Sequence, residues 1–568
     1  MLAGCSWWEP REPVAARPTG TMTNVKDFAS AHQSPALAGT IGSVSSLQGD
    51  RFMRVRGFGL VVGLDGKGSR NCLPSIREYL AREIRRARAP HTQHEFKLTP
   101  EELIDSPDTA VVEVVGEIPA GVAKGHVFDV VVSSASFDPD TQSLAGGYLL
   151  TCELKVFREV SPEEVIEGRP LARARGPVFI NPFAGGEKSS AGVNPREGKV
   201  IGGAYSLEDR KLSLITAMES YSMVSRIQTA INRMFNCDPK AADGVSASMI
   251  ELRVPPAYRG RERRFLEIVS HLSLEPSAAA REARGKELIA ELVRPDAPLE
   301  DVALSLEGLG PPALGMVKTY YTHKRREVNF YAARTGLRLG DALAVEVIAH
   351  HARDARSPFR AAAIRELGEC GNPVRAGLLL RELINEGDPR VQIMAYEALR
   401  RVDPEAVVTR TVGRDPENFL LDLVPCDGPM LIYARRTQTR RIALIGGDRL
   451  VLHPPLLYAE EGKPVLLSAA QNDQFVSLLK KDSRGRVLGE PLRLGTALPG
   501  FVYFLGHDPV QDAEGRLQGL GFDYAVVLDV LDRLCRSGAI NAEFRWEEPG
   551  VEDLLGPLKP PGRPESEL

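Results

Sequence analysis

Residues 276–410 form one long stretch rich in Ala, Leu, Arg and Glu, with Pro and Gly at intervals. Three segments within it superimpose, and they begin at Val328, Phe359 and Val391, which are 31 and 32 residues apart. Each first residue is followed four positions later by Ala, and a turn follows each predicted helix, at Gly340-Asp341, Gly371-Asn372 and Val402-Asp403-Pro404. The stretch therefore predicts a repeated helical unit.

A repeat of this length buries its apolar face only against neighbouring repeats, and its Ala residues allow close helix packing. We therefore expect a HEAT-like helical solenoid over residues 276–410, with a generic helical bundle as the alternative. Solenoids present a long concave surface, so these HEAT-like repeats are expected to bind a protein partner.

Strand patterns lie on the N-terminal side of this stretch. Glycines bracket the strand-like Leu60-Val61-Val62, and a helix is predicted over residues 73–88. Apolar residues at steps of three and four predict one amphipathic helix over residues 213–235. Further strand-like runs are separated by Gly and Pro, at residues 110–116, 127–133 and 148–156. An α+β region is therefore expected before residue 276.

Strand signals return beyond Asn418, in residues 419–424, 430–433, 441–445, 450–452, 464–468 and 501–505, before a last helix over 525–537. The fold class is therefore multidomain, with an α+β region, an α-helical solenoid and a β-rich C-terminal region. The predicted segments are a tether (1–22), two α+β segments (23–170 and 171–275), the solenoid (276–410), the C-terminal domain (411–556) and a disordered tail (557–568).

Composition excludes several classes of protein. The 568 residues contain 71 Lys plus Arg against 75 Asp plus Glu, a net charge of −4, which argues against a nucleic-acid partner. The sequence contains no run of 18 or more apolar residues, so no membrane-spanning helix is predicted. The seven cysteines are scattered without a CxxC pair, so neither a zinc site nor a disulfide framework is predicted, and most are expected to be buried.

Enzyme motifs fail on spacing. The run Gly57-x-Gly59-x-x-x-Gly63 is one residue too long for a dinucleotide fingerprint, and Gly66-Lys67-Gly68-Ser69 lacks the first glycine of a phosphate loop. His91 and His94 fit a solvated loop, and adjacent His350 and His351 face different ways on a helix. No catalytic, cofactor-binding or metal-binding residue is predicted. Glu101 and Glu102, beside Pro100, are typical of a first helical turn.

The first residues contain Leu2-Ala3-Gly4-Cys5, which resembles the lipobox of bacterial prolipoproteins. The basic and apolar leader that normally precedes a lipobox is missing. Two readings stay open: the start codon is placed too far downstream and Cys5 is lipidated, or the tetrapeptide is there by chance.

The Gly-rich strands carry a resemblance to a known family. Arg56-Gly-Phe-Gly-Leu-Val-Val-Gly-Leu-Asp-Gly-Lys-Gly68 looks like the signature of bacterial flagellar P-ring proteins. Residues 109–119, 125–134 and 143–151 are similar to the family's next motifs, in the same order. Weaker matches follow at residues 175–178, 201–204, 226–232 and 254–258. The resemblance covers about residues 44–274, and its structural motif residues are Gly57, Gly59, Gly63, Gly66, Gly68, Pro119, Asp129, Ser133, Ser134, Gly146 and Gly147.

Two features depart from the family. The family ends with a short β segment directly after this point, whereas here the helical repeats intervene. Residues 440–462 faintly resemble a late family motif. The lipobox is the second departure, because family members are exported by a cleaved signal peptide. If the late motif is genuine, the helical repeats are an insertion.

The resemblance implies a non-enzymatic structural protein that self-associates into a periplasmic ring, a bushing around the flagellar rod within the peptidoglycan layer. Expected partners are further copies, the rod, other basal-body ring proteins and peptidoglycan, with membrane contact only through a lipid anchor in the outer membrane. The motif glycines are expected to serve the backbone rather than a ligand. The alternative is an envelope lipoprotein scaffold whose HEAT-like repeats bind a partner without a flagellar role, and a peptidoglycan enzyme is a lesser rival.

Overall fold

A computed structural model describes residues 35–87, 98–156, 168–181, 194–275, 277–413, 418–459, 465–481, 486–511 and 517–547. Cys5, the tether and the C-terminal tail predicted from the sequence lie outside these residues. The strands are β1 (Ser45–Gln48), β2 (Met53–Val62), β3 (Thr109–Ile118), β4 (Val127–Ser134), β5 (Tyr148–Leu154), β6 (Ala172–Pro177), β7 (Glu197–Ser206), β8 (Leu212–Thr216), β9 (Ala242–Gly244), β10 (Met249–Leu252), β11 (Val408–Val412), β12 (Phe419–Val424), β13 (Leu431–Arg435), β14 (Arg441–Ile445), β15 (Leu456–Ala459), β16 (Val465–Ala469), β17 (Phe475–Lys481), β18 (Val487–Gly495) and β19 (Glu543–Trp546).

The α-helices of the same residues are α1 (Pro74–Ala87), α2 (Pro100–Ile104), α3 (Tyr221–Phe235), α4 (Glu262–His271), α5 (Ala278–Leu292), α6 (Leu299–Leu309), α7 (Pro312–Lys318), α8 (Arg326–Arg338), α9 (Ala342–Arg353), α10 (Arg360–Leu367), α11 (Pro373–Ile384), α12 (Pro389–Val402), α13 (Leu498–Gly506) and α14 (Tyr524–Arg536). The expected first turn at Glu101 and Glu102 is confirmed, because Thr99 and Glu102 form a capping box at the start of α2.

Six strands close into a barrel in the order β2-β3-β4-β7-β6-β5. Alternate residues of each strand point inward and form an apolar core of Val, Leu and Ala side chains, while α1 and α2 cover part of the outside. The barrel uses strands on both sides of residue 170, where the sequence predicts a domain boundary. That boundary is wrong, because β5 pairs directly with β6 and the change of fold comes after Ser206.

A second, smaller unit contains the sheet β1-β8-β10-β9 packed against α3 and α4. The single helix predicted over residues 213–235 is only partly confirmed, because Leu212–Thr216 is strand β8 and the helix begins at Tyr221. Leu212, Leu214 and Thr216 are buried and the residues between them are half-buried, which is the two-residue period of a strand. The helical spacing of the apolar residues that follow led to the prediction of one continuous helix. Ser220 then caps the helix by accepting a hydrogen bond from the Met223 N–H.

Residues 278–402 form eight consecutive helices, α5 to α12, here called the helical array. Sequence neighbours pack against each other, and helices two apart also meet: α4 with α6, α6 with α8, α10 with α12, α5 with α7, and α9 with α11. The first row of helices therefore begins with α4, which belongs to the small unit. The helical character predicted from the sequence is confirmed.

The C-terminal part contains a five-stranded sheet, β11-β12-β14-β13-β19, and a four-stranded antiparallel sheet, β15-β16-β17-β18. One face of the five-stranded sheet packs on the helical array, and the other packs on α13, α14 and the four-stranded sheet. The β-rich prediction is confirmed, with two corrections. Residues 501–505 lie in helix α13, which has Pro499 in its first turn. Of residues 450–452, Val451 and Leu452 form only isolated bridges, and Leu450 forms none.

Candidate assembly site

Gly57 and Gly59 lie where β2 crosses β5 inside the barrel. A Cβ on Gly57 would collide with the Glu153 carbonyl oxygen and lie 3.0 Å from Cys152 Sγ, and one on Gly59 would lie 2.8 Å from Leu149 Cδ1. Only hydrogen side chains allow this approach of the two strands. Burial raises the pKa of the Cys152 thiol to about 12, so this cysteine is a packing residue rather than a nucleophile.

The remaining motif glycines are of two kinds: some lie in turns that need a positive φ, and others lie where a Cβ would collide with a neighbouring strand or side chain. Gly63 and Gly66 both have φ +79°, Gly146 has φ +75°, and open space surrounds all three. Gly68 and Gly147 have ordinary φ values, but a Cβ would collide with the Thr109 carbonyl and with Val61, respectively. In the structure, these glycines occupy turns and close backbone contacts of the barrel. Pro119 directly follows β3 and is half-buried.

Ser133 and Ser134 lie at the end of β4, beside β7. Ser133 is paired with Glu197, and Ser134 Oγ accepts a hydrogen bond from Arg196 Nε at 3.0 Å. Arg196 also donates to the carbonyl oxygen of Asp138. These contacts join the end of β4 to the loop that follows it.

Asp129 joins the barrel to the C-terminal part. Its Oδ1 accepts hydrogen bonds from the Gly202 N–H at 2.7 Å and from the Gln438 N–H at 2.8 Å, and Lys199 Nζ lies 3.3 Å from its Oδ2. We call Asp129, Gly202 and Gln438 the clasp. Beside it, Phe179 and Ile201 insert into the C-terminal apolar core, with the rings of Phe179 and Tyr524 6.0 Å apart. The C-terminal part therefore covers one face of the barrel.

A row of ion pairs joins the small unit to the helical array. Arg264 on α4 binds Glu307 on α6, whose Oε2 lies 3.5 Å from Arg338 Nη1 on α8. Arg338 in turn binds Glu366 on α10 through two hydrogen bonds, of 2.9 and 2.5 Å. The Glu307 and Glu366 side chains are only 7% and 10% exposed, so the four charges are held together in a poorly hydrated row.

The comparisons with known proteins identify the N-terminal half. Residues 40–283 match the family model described as flagellar P-ring protein. This region is homologous to the flagellar P-ring proteins. The resemblance inferred over about residues 44–274 is thereby confirmed, and the matched region contains the whole barrel and the whole small unit.

Individual relatives named flagellar P-ring protein agree with this homology. The relative from Geobacter metallireducens is 32% identical over 256 residues, which are 43% of this chain and 64% of the relative. The relative from Thermotoga maritima is 28% identical over 278 residues, or 47% of this chain and 76% of the relative. The relative from Aquifex aeolicus is 26% identical over 250 residues, or 42% of this chain and 63% of the relative.

The clasp and the ion-pair row both connect the P-ring-like region to parts of the chain beyond the match. Asp129 and Gly202 lie inside residues 40–283, whereas Gln438 lies outside, and Arg264 lies inside whereas Arg338 lies outside. The sequence prediction missed these partners. Glu307 and Arg338 are 31 residues apart, which is the spacing of the helical repeat. Opposite charges at that spacing could therefore have predicted an ion pair between neighbouring repeats. No such signal marks Gln438.

Other candidate residues have structural contacts. His351 Nδ1 lies 2.8 Å from Ser357 Oγ and its Nε2 lies 2.8 Å from Asn329 Oδ1, so this histidine ties two helices together. Within the described ranges, no group of three metal-ligating side chains occurs, and no helix is long and apolar enough to cross a membrane. Cys72, Cys152, Cys237, Cys370, Cys426 and Cys535 are free thiols.

We expect Gly202→Ala to open the clasp. Gly202 has φ +61°, and a Cβ there would collide with the Gln438 carbonyl oxygen. Hydrogen exchange in residues 436–440 should become faster. Gly125→Ala is the matched control, because Gly125 also has positive φ (+84°) but has open space, so it carries only the backbone strain of about 1 kcal/mol. Equal exchange in the two variants would contradict the clasp.

Arg338→Met is expected to destabilise the helical array beside its junction with the small unit by about 2 kcal/mol, because it leaves the buried Glu366 carboxylate without a cation. The Arg264–Glu307 pair that crosses the junction stays in place. The measurement is the chemical denaturation midpoint. Arg375→Met is the control, since Arg375 pairs with Glu346 on an exposed helix face and its loss should leave the midpoint unchanged. Equal effects of the two changes would argue against a structural role for the row.

Proposed function

We propose that this protein is a non-enzymatic structural subunit of a ring of the flagellar P-ring type, located in the periplasm around the flagellar rod. The observation that carries the proposal is the match of residues 40–283, because it includes two complete folding units rather than a fragment of one. Motility, the basal body and self-association follow from the same homology. Contacts with the rod, with other basal-body rings and with peptidoglycan belong to the proposal.

The parts of the chain beyond the match are proposed to stiffen the P-ring-like region. The ion-pair row links the small unit to the helical array, the array shares an apolar core with the five-stranded sheet, and the clasp returns the C-terminal part to the barrel. Arg210, between the barrel and β8, donates to the Ile118 carbonyl oxygen at the end of β3 and so connects the barrel to the small unit. Each of the four parts therefore contacts two others. These contacts limit the motion of the parts relative to one another, which suits a ring subunit that is under mechanical force.

The helical array is proposed to be a HEAT-like solenoid, since its helices pack in two rows with a repeat near 31 residues. A second candidate function follows from its surface. Leu343 on α9 and Val374 and Leu378 on α11 are 65%, 74% and 53% exposed, which favours an envelope scaffold that binds a protein partner without a flagellar role.

The test of the ring proposal uses the full chain and cells that express it. We expect concentration-dependent self-association in analytical ultracentrifugation, ring-shaped particles in electron microscopy, and fluorescence of the tagged protein at flagellar bases. A protein that stays monomeric at high concentration and localises away from basal bodies would overturn the ring and favour the scaffold.

Lipidation of Cys5 is a separate proposal, which rests on the tetrapeptide Leu2-Ala3-Gly4-Cys5. Intact-mass analysis of protein from native membranes should find a diacyl or triacyl group on Cys5, consistent with anchoring in the outer membrane. An unmodified Met1 on the mature chain would contradict the anchor.

A further inference from the structure

A strip of apolar side chains lies on the outer face of the barrel. Val127 and Val131 point outward from β4 and are 46% and 39% exposed. Half-buried side chains continue the strip on both neighbouring strands, because Val115 on β3 is paired with Val131 and Tyr205 on β7 is paired with Val127. We call these four residues the β4 strip. Apolar side chains that adjoin one another on one face are typical of a contact surface.

The C-terminal part of the chain ends beside this strip. The carboxylate of Glu547, directly after β19, accepts a hydrogen bond from the Thr437 hydroxyl at 2.8 Å. The next residue, Gln438, donates its N–H at 2.8 Å to Asp129, which lies on β4 between the two exposed valines. Only Thr437 and Gln438 therefore separate Glu547 from the β4 strip.

A second contact places the same loop against one end of the strip. A Cβ on Gly202 would collide with the Gln438 carbonyl oxygen and would lie 3.5 Å from Val127 Cγ1. Gln438 and Val127 therefore lie on either side of one backbone position of the barrel. A chain that continues from Glu547 starts near the Val127 end of the strip.

The chain continues from Glu547 into residues 548–558, which lie outside the described residues and which we call the exit segment. The sequence of this segment has a turn signal, Pro549-Gly550, followed by three apolar residues, Val551, Leu554 and Leu555. Burial of these three side chains against an apolar surface would be favourable.

The exit segment is long enough to cover the strip. Its residues 548–555 span at most about 28 Å when extended. The exposed part of the strip runs along β4 from Val127 to Val131, which is about 13 Å of strand. Residues 551–555 can therefore reach both valines without any movement of β19.

The charges around the strip are of both signs. Lys124 precedes β4, and Lys199 Nζ lies 3.3 Å from Asp129 Oδ2. Carboxylates lie on the neighbouring strands, at Glu113, Glu117 and Glu197. The exit segment also contains both signs, with Glu552 and Asp553 followed by Lys559 just beyond it. Apolar contact rather than net charge must therefore select what covers the strip.

We propose that the exit segment folds back across the β4 strip of its own chain, with Val551, Leu554 and Leu555 against Val127 and Val131. The contact extends the clasp along β4, so the C-terminal part is held to the barrel on both sides of Asp129. It forms within a single subunit and does not depend on the proposed ring.

The first experiment measures how fast a maleimide labels a cysteine on the strip of the full-length chain. Val127→Cys should be labelled about tenfold more slowly than Val127→Cys/Leu554→Asp/Leu555→Asp, which corresponds to a segment docked about 90% of the time. Mass spectrometry of the peptide that contains residue 127 separates this label from labels on the native thiols. Leu343→Cys, on the helical array, is the control and should be labelled equally fast with and without the two aspartates.

Crosslinking identifies which chain supplies the segment. Oxidation of Val127→Cys/Leu554→Cys should join these two positions within one chain, whereas Leu343→Cys/Leu554→Cys should form no such link. A link between two chains would overturn the proposal and assign the strip to the exit segment of a second copy. Equal labelling of residue 127 with and without the aspartates would also overturn it, because the strip would then be open or covered by another part of the chain.

Discussion

Arg441→Met is expected to lower the free energy of unfolding of the C-terminal part by about 4 kcal/mol, because it leaves the buried Asp422 carboxylate without a cationic partner. Asp422 has no exposed surface, and Arg441 Nη1 lies 2.7 and 2.6 Å from its two oxygens. Without the guanidinium, the Asp422 charge would be neither hydrated nor paired.

The other partners of Asp422 are neutral hydroxyls. Tyr396 on α12 donates to Oδ2 at 2.6 Å, and Thr409 on β11 donates to Oδ1 at 2.8 Å. Burial raises the pKa of Tyr396 well above its ordinary value, so its hydroxyl stays protonated and donates. The network therefore connects the last helix of the array to three strands of the five-stranded sheet.

The measurement is urea denaturation followed by the fluorescence of Trp546, which lies on β19 of the same sheet. The double variant Asp422→Asn/Arg441→Met should recover most of the loss, because no buried charge is left unpaired. The amide oxygen accepts from one of the two hydroxyls, and the amide N–H donates to the oxygen of the other. Arg545→Met, which removes an exposed ion pair with Glu543, is the control and should leave the midpoint unchanged. A small effect of Arg441→Met would mean that water reaches Asp422.

Gly57→Val is expected to destabilise the barrel by about 3 kcal/mol or to prevent its folding, since the new side chain collides with backbone of β5 that cannot move without breaking the strand pairing. Hydrogen exchange in β2 and β5 should become faster than in the helical array.

Gly66→Ala is the matched control for this change. Gly66 belongs to the same motif, but it needs only a left-handed backbone (φ +79°) and has open space, so the expected cost is about 1 kcal/mol. If the two variants lost equal stability, close strand approach would not be the reason for glycine at position 57.

Several turn positions could be predicted from the sequence because the conformation they need is local. The turns at Gly63, Gly66 and Gly146 need positive φ, and this requirement depends only on the residues beside them. The P-ring-like region could be predicted for the same reason, since its motifs are short, ordered runs. The clasp could not be predicted from the sequence, because Asp129 and Gln438 are 309 residues apart. In addition, Gln438 donates through its backbone N–H, so any residue except proline could make this hydrogen bond.

The sequence by itself determined the helical array, the β-rich ends and the P-ring relationship, because hydrophobic period and turn residues act within a few positions of the chain. Three features were decided only by the tertiary structure. Residues 40–48 pack with the small unit rather than with the barrel that follows them, and strands on both sides of residue 170 belong to one barrel. Phe179 and Ile201 pack in the core of the C-terminal part. The physical reason is that apolar burial is non-directional, so an apolar run indicates that a residue is buried but not against which part of the chain.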